Sequence, residues 1–213
     1  MCSSLSSEQQ MKLYCSQLLS KETFNGTLQE LRVLAQEYQY QEVLPHIYAP
    51  SALRITPLLR ASALSLILPP RYFARGRISR YSAAWIWGCT PSAFENFYID
   101  FDRYSRINTR KTRQENIITH QNQFSPTDYL ALGKVHVTTP LRTALDLLIY
   151  HHDETIARQS VERFLNTPNF SGCSVDTMHT YLEHKKYVPH RQKAQQVLQQ
   201  ISQNIPTSHP MKV

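Results

Sequence analysis

The chain has 213 residues, enough to bury a core unaided and to hold one large domain or a small and a medium one. Hydrophobic residues at 41%, with 12 Tyr and 8 Phe, argue for a folded protein, while the five glycines, scattered at 26, 76, 88, 133 and 172, form neither the Walker nor the Rossmann spacing, which disfavours nucleotide hydrolysis and dinucleotide chemistry. A formal charge of +7 and a pI near 9.3 favour an acidic partner, whether nucleic acid, an anionic membrane surface or an acidic protein.

Residues 8–20 and 27–39 read as helices, the second with Leu28, Leu31, Ala35 and Tyr38 at helical spacing behind Thr27 as a cap. Residues 40–48 read as extended and end in Ala49-Pro50. Two helices and a short extended segment are what a reduced winged-helix domain would leave; a structural arm packed on the main domain fits the same residues equally well. An apolar helix follows over residues 52–68, stopped by Pro69-Pro70, because the residue before a proline is pushed out of the helical region. A basic loop comes next, with Arg71, Arg75, Arg77 and Arg80 interleaved with Tyr72, Phe73 and Tyr81. Ser79 then caps a short helix through Trp87, and Gly88 fits the left-handed position that ends it. Trp85 and Trp87 are two apart and face different sides, so at least one belongs to the core.

From Phe97 the period changes to two, and residues 97–101 and 116–120 read as paired strands. Their connection carries Arg103, Arg106, Arg110, Lys111 and Arg113 with no acidic residue between Arg103 and Arg113, as a hairpin tip would. Ser125-Pro126-Thr127-Asp128 is a turn signal, and Val135 with Val137 marks a further strand of a small antiparallel sheet. Thr139 and Pro140 then supply an N-cap and a first helical residue whose missing N–H costs nothing. Helices are expected over residues 140–150, 154–165, 175–186 and 190–203, the last burying Ala194, Val197, Leu198 and Ile201, before a frayed tail over 204–213.

The run from Ile78 to Gly88, with Ser79, Ser82, Ala84 and Gly88, and the run Thr139-Pro140-Leu141-Arg142-Thr143-Ala144-Leu145-Asp146 together resemble the AbiEi-type antitoxins of type IV toxin–antitoxin systems. The resemblance covers roughly residues 43 to 203 and keeps the family's order of serine–alanine helix, basic hairpin and threonine–proline–arginine helix. It implies a winged-helix-like segment over residues 1–50, an antitoxin domain over 51–203, repression of an operon through DNA binding, and antagonism of a nucleotidyltransferase toxin. It departs from the family pattern at residues 27–39, where Arg32 is the only cation against Glu30 and Glu37 and the family carries a basic recognition helix. In some relatives a nuclease domain follows this region; none is expected here.

No residue pattern signals catalysis. His179, Glu183 and His184 are spaced H-x-x-x-E-H rather than H-x-x-E-H, which sets the histidines about 140° apart around the helix, so no shared metal is expected. His151-His152-Asp153-Glu154 reads as a polar helix junction. Cys2, Cys15, Cys89 and Cys173 form no C-x-x-C and read as reduced cytoplasmic thiols. No G-x-S-x-G elbow occurs, and Ser82 is at most a weak nucleophile. Arg142 and Asp146 lie four apart on one helix face and read as structural: tying helix to sheet if buried, worth roughly 0.3–0.5 kcal/mol if exposed. The residues assigned to nucleic acid are Arg71, Arg75, Arg77, Arg80, Arg103, Arg106, Arg110, Lys111 and Arg113, since guanidinium forks suit phosphate and hold a backbone without reading its sequence. A start without a basic and then apolar leader, and a most apolar stretch of only residues 61–68, argue against export and membrane insertion. The expectation is a cytoplasmic, non-enzymatic α+β protein without cofactor or metal, binding operator DNA; the alternatives are an interaction module without DNA binding and a targeting remnant of a nuclease-fused relative.

Overall fold

The computed structural model describes residues 5–90, 96–103, 116–151, 154–170, 172–185 and 187–204. The fold is α+β, with two sheets. The N-terminal part begins with α1 (Ser7–Gln17) and β1 (Leu19–Ser20), followed by α2 (Leu28–Glu37), β2 (Tyr40–Leu44) and β3 (Ile47–Pro50). Both helices start in complete capping boxes, Ser6 with Gln9 and Thr27 with Glu30, where each cap side chain and the residue three on satisfy one another's backbone N–H. The residues read as one extended segment are a hairpin turning at Pro45-His46, and β3 also pairs with β1 to give the antiparallel order β1-β3-β2. Tyr38, expected on the inner face of α2, is 66% exposed at its end; Leu31 and Ala35 fill the interior.

The second unit begins with α3 (Pro57–Ile67), opened by Thr56 and Pro57. The segment expected to be a basic loop is ordered: a one-and-a-half-turn helix α4 (Pro70–Arg75) runs directly into β4 (Gly76–Ile78). Gly76 is required by close approach, because a Cβ there would meet the Tyr72 carbonyl oxygen and stand 2.7 Å from Ile99. Next comes α5 (Arg80–Ile86), which ends in a full Schellman motif: Gly88, at φ +81°, donates to the Trp85 carbonyl and Cys89 donates to that of Ala84. The remaining strands are β5 (Phe97–Asp102), β6 (Ile117–Asn122), β7 (Tyr129–Leu132) and β8 (Val135–Thr138).

Their sheet has the order β6-β5-β4-β8-β7 and is mixed, not the small antiparallel sheet expected for this region. β5 and β6 do pair, but in parallel, from Phe97 opposite Ile117 to Asp102 opposite Asn122. Residues 97–101 and 116–120 therefore do not form a hairpin, since parallel strands cannot be joined by a tight turn; the basic connection over 104–115 lies outside the described residues. β7 was not legible from its sequence. Its pairing with β8 places a hairpin where a single strand was expected.

Four helices follow: α6 (Pro140–Tyr150), α7 (Thr155–Asn166), α8 (Val175–His184) and α9 (Arg191–Asn204). One apolar core gathers Met11, Leu44, Leu59, Leu64, Tyr72, Ile99 and Val137, so it runs continuously from α1 to the five-stranded sheet. A second joins Ala84 of α5 and Ala144 of α6 to Phe164, Met178, Leu198 and Ile201 of the C-terminal helices. Trp85 belongs to the first core, and Trp87 donates its indole N–H to the Thr138 carbonyl at 2.8 Å. Among the described residues no helix is long and apolar enough to cross a membrane.

Candidate functional site

The two motif helices knit the sheet to the helical half. Thr139 accepts the Arg142 backbone N–H at 3.3 Å with Pro140 beside it, and the Thr143 hydroxyl lies 2.7 Å from that of Thr138 and donates to the Thr138 carbonyl. Ser82 accepts the Tyr98 N–H at 2.9 Å, while the fully buried Ser79 bonds its own N–H to the Tyr98 carbonyl. Ser79 occupies the N-cap position without a side-chain cap bond. Ala84 is fully buried, one of the small residues that let α5 approach α6. Thr139, Thr143, Ser82 and Ala84 thus each have a packing or hydrogen-bonding task, whereas the Ser79 hydroxyl is buried without a hydrogen-bond partner.

The predicted cations part company. Arg71 and Arg75 on α4 are exposed, and among the described residues neither is bridged to a carboxylate. Lys134, in the β7–β8 turn, holds its ammonium 5.9 Å from the Phe73 ring on the same short helix, and its backbone N–H meets the Met11 sulfur at 3.5 Å. Arg77 is tucked over Tyr129 at 4.4 Å and Phe124 at 5.0 Å. Arg80 is only 7% exposed and lies inside the molecule. Its guanidinium covers the Tyr150 ring at 4.3 Å and reaches His120 at 3.3 Å, so its charge is turned inward rather than offered to a phosphate. Arg103 is exposed where β5 ends; Arg106, Arg110, Lys111 and Arg113 lie outside the described residues.

Sequence reasoning missed the interior charge cluster that Arg80 joins. Asp100, on β5, is fully buried, takes a hydrogen bond from Asn122 at 3.2 Å and faces His120 at 3.6 Å. Burial would raise its carboxyl pKa, but His120 first, then the Arg80 charge and Asn122, outweigh it and hold the pKa below the ordinary value. The available signal was an acid set between Ile99 and Phe101 in an apolar strand. On α6, Arg142 bonds Asp146 and Asp128, both at 2.9 Å, with Arg142 4% and Asp146 1% exposed. The pair is therefore the buried kind, holding α6 against the turn before β7. For Asp146 burial prevails over Arg142 and lifts the carboxyl to about 6. A folded-state pKa above the unfolded one means that the native state binds the extra proton. Stability from Asp146 is then fully present below about pH 4 and lost as pH rises through about 6. Urea midpoints measured across that range should show Asp146→Asn lacking this decline, relative to wild type.

At the α6–α7 junction Tyr81 donates to Glu154, which also pairs with His151 at 2.8 Å, as a polar junction should. His179 and Glu183 meet at 3.2 Å, each half exposed, on an open helix face. Among the described residues no group of three or more His, Cys, Asp or Glu side chains is placed to hold a metal. Cys15, Cys89 and Cys173 are free, and burial pushes the last two up to about 12, which keeps them as inert thiols.

Beneath the carboxyl ends of the parallel strands β5 and β6 opens a cleft of about 480 Å³, walled by α6 and by the α8–α9 connection. Arg103, Asn122, Asp146, Tyr150, Lys185 and Tyr187 line it. No family model matches the chain, and no curated protein matches it. The antitoxin resemblance therefore rests on the two motif helices alone.

Proposed function

We propose that this protein is a cytoplasmic, antitoxin-like transcriptional regulator that binds operator DNA of a type IV toxin–antitoxin system and counters a nucleotidyltransferase toxin. The observation that carries the DNA part is the exposed pair Arg71 and Arg75, free of carboxylate partners among the described residues. Guanidinium groups left open in this way are suited to phosphate. Support also comes from the N-terminal order of helix, strand, helix and two strands, with β1 closing against β3, which is the layout of a winged helix reduced by one of its three helices. The toxin and the operon are carried over from the motif resemblance. The protein acts by binding, and purified protein incubated with DNA and magnesium should leave the DNA uncut.

Quantitative mobility shifts on DNA upstream of the gene test the proposal. Every phosphate that is no longer neutralised should take about 0.9 off the slope of log affinity against log salt, so Arg71→Ala/Arg75→Ala should flatten it by about 2 and weaken all sequences alike. An unchanged slope would sink the assignment of these two residues. A second reading, an interaction module without DNA binding, draws on α2, whose only cation is Arg32 and whose Val33 is 48% exposed. It predicts no retardation even at low salt.

A further inference from the structure

The cleft at the ends of β5 and β6 has a chemistry that the DNA reading does not use. Asp146 lines it and is 1% exposed, yet its Oδ2 is buried without a hydrogen-bond partner, Oδ1 alone being engaged by Arg142. A buried carboxylate oxygen left bare costs free energy that a donor brought by a ligand would recover. Arg142 reaches Asp146 through Nε at Oδ1 and turns Nη1 to Asp128, and neither bond engages Oδ2. The mouth carries two further cations, Arg103 and Lys185. Lys185 also donates to the Tyr181 hydroxyl, and burial, with the nearby Arg142 charge, pulls its pKa down. An anion beside Lys185 would relieve that crowding, whereas a metal ion or an amine would add to it. Tyr150 and Tyr181 form partly buried walls, and Tyr187 stands 85% exposed at the rim, an aromatic face with room for a flat partner. The volume lies within the range of small-ligand sites, and the carboxyl ends of parallel strands are where such sites recur.

We propose that this cleft binds a nucleoside monophosphate unit, its phosphate at Arg103 and Lys185, its ring against Tyr187, and a ring or exocyclic N–H donated to Asp146. The unit is either a free mononucleotide or the phosphorylated end of a nucleic-acid strand. The site is separate from Arg71 and Arg75, and it stands or falls independently of operator binding.

Isothermal titration of the full chain with AMP, CMP, GMP and UMP, with the four nucleosides and with inorganic phosphate tests it. At least one mononucleotide should bind about tenfold more tightly than both its nucleoside and phosphate. Tyr187→Ala should weaken that binding about tenfold, the effect of losing one base–aromatic stack, without changing the melting temperature. Lys185→Gln should weaken the mononucleotide and leave the nucleoside unaffected. Short oligonucleotides with and without a 5′ phosphate form the second arm: a strand that gains affinity from its 5′ phosphate, and loses that gain in Lys185→Gln, assigns the site to strand ends, whereas equal binding of the two strands assigns it to free nucleotide. No binding of any mononucleotide or phosphorylated strand at millimolar concentration overturns the proposal. So does binding that phosphate alone reproduces, or that both variants leave intact.

Discussion

Arg142→Leu should unfold at a markedly lower urea concentration, with a loss of about 3–5 kcal/mol, because it strands the buried Asp146 charge without its partner. The double variant Arg142→Leu/Asp146→Leu should recover most of that loss. Two apolar side chains of similar volume need neither desolvated charge nor exact geometry, and replacing a buried pair outright is often neutral. Asp128, 17% exposed, keeps access to water when Arg142 is gone, so it adds little to the deficit. The coupling energy from the four-variant cycle separates the pair from the packing of its methylenes. If single and double variants lose the same stability, the ion pair is not what holds α6 to the turn before β7.

Arg80→Ala should cost about 3 kcal/mol, the expense of leaving the buried Asp100 carboxylate without the nearby positive charge, while the partly exposed His120 keeps access to water. Its backbone adds a second diagnostic. Arg80 sits at φ +49°, in the left-handed region that side chains disfavour, so Arg80→Gly should be about 1 kcal/mol more stable than Arg80→Ala. Denaturant midpoints of the two variants measure this difference. The salt slope of DNA binding should be the same for wild type and for whichever variant stays folded. A slope reduced by about 1 would instead place Arg80 against a phosphate, as its spacing from Arg71, Arg75 and Arg77 suggests.

These two arginines show how far local signals reach. The Arg142–Asp146 pairing follows from helix geometry alone, since residues four apart share a face, and only its burial needed the fold. Arg80 lies in a run of four arginines over ten residues, and sequence spacing cannot say which of them turns inward. That depends on Tyr150, His120 and Asp100, 20 to 70 residues away along the chain. The cleft was illegible for the same reason: Arg103, Asn122, Asp146 and Lys185 come from four separate segments.

Features set within one turn of backbone were written in the chain itself: the Thr27 cap of α2, the Thr139-Pro140 start of α6, the glycine stop at Gly88, and the apolar face of α9. Caps and periodicity are satisfied by residues three or four apart, so their chemistry is complete in a short window. It took the closed fold to make β5 and β6 run parallel, to pair β7 beside β8, and to enclose Arg80 while Arg71 and Arg75 stay open. Strand direction and the burial of a charge are settled by partners distant in sequence, which meet only after the chain has folded back upon itself.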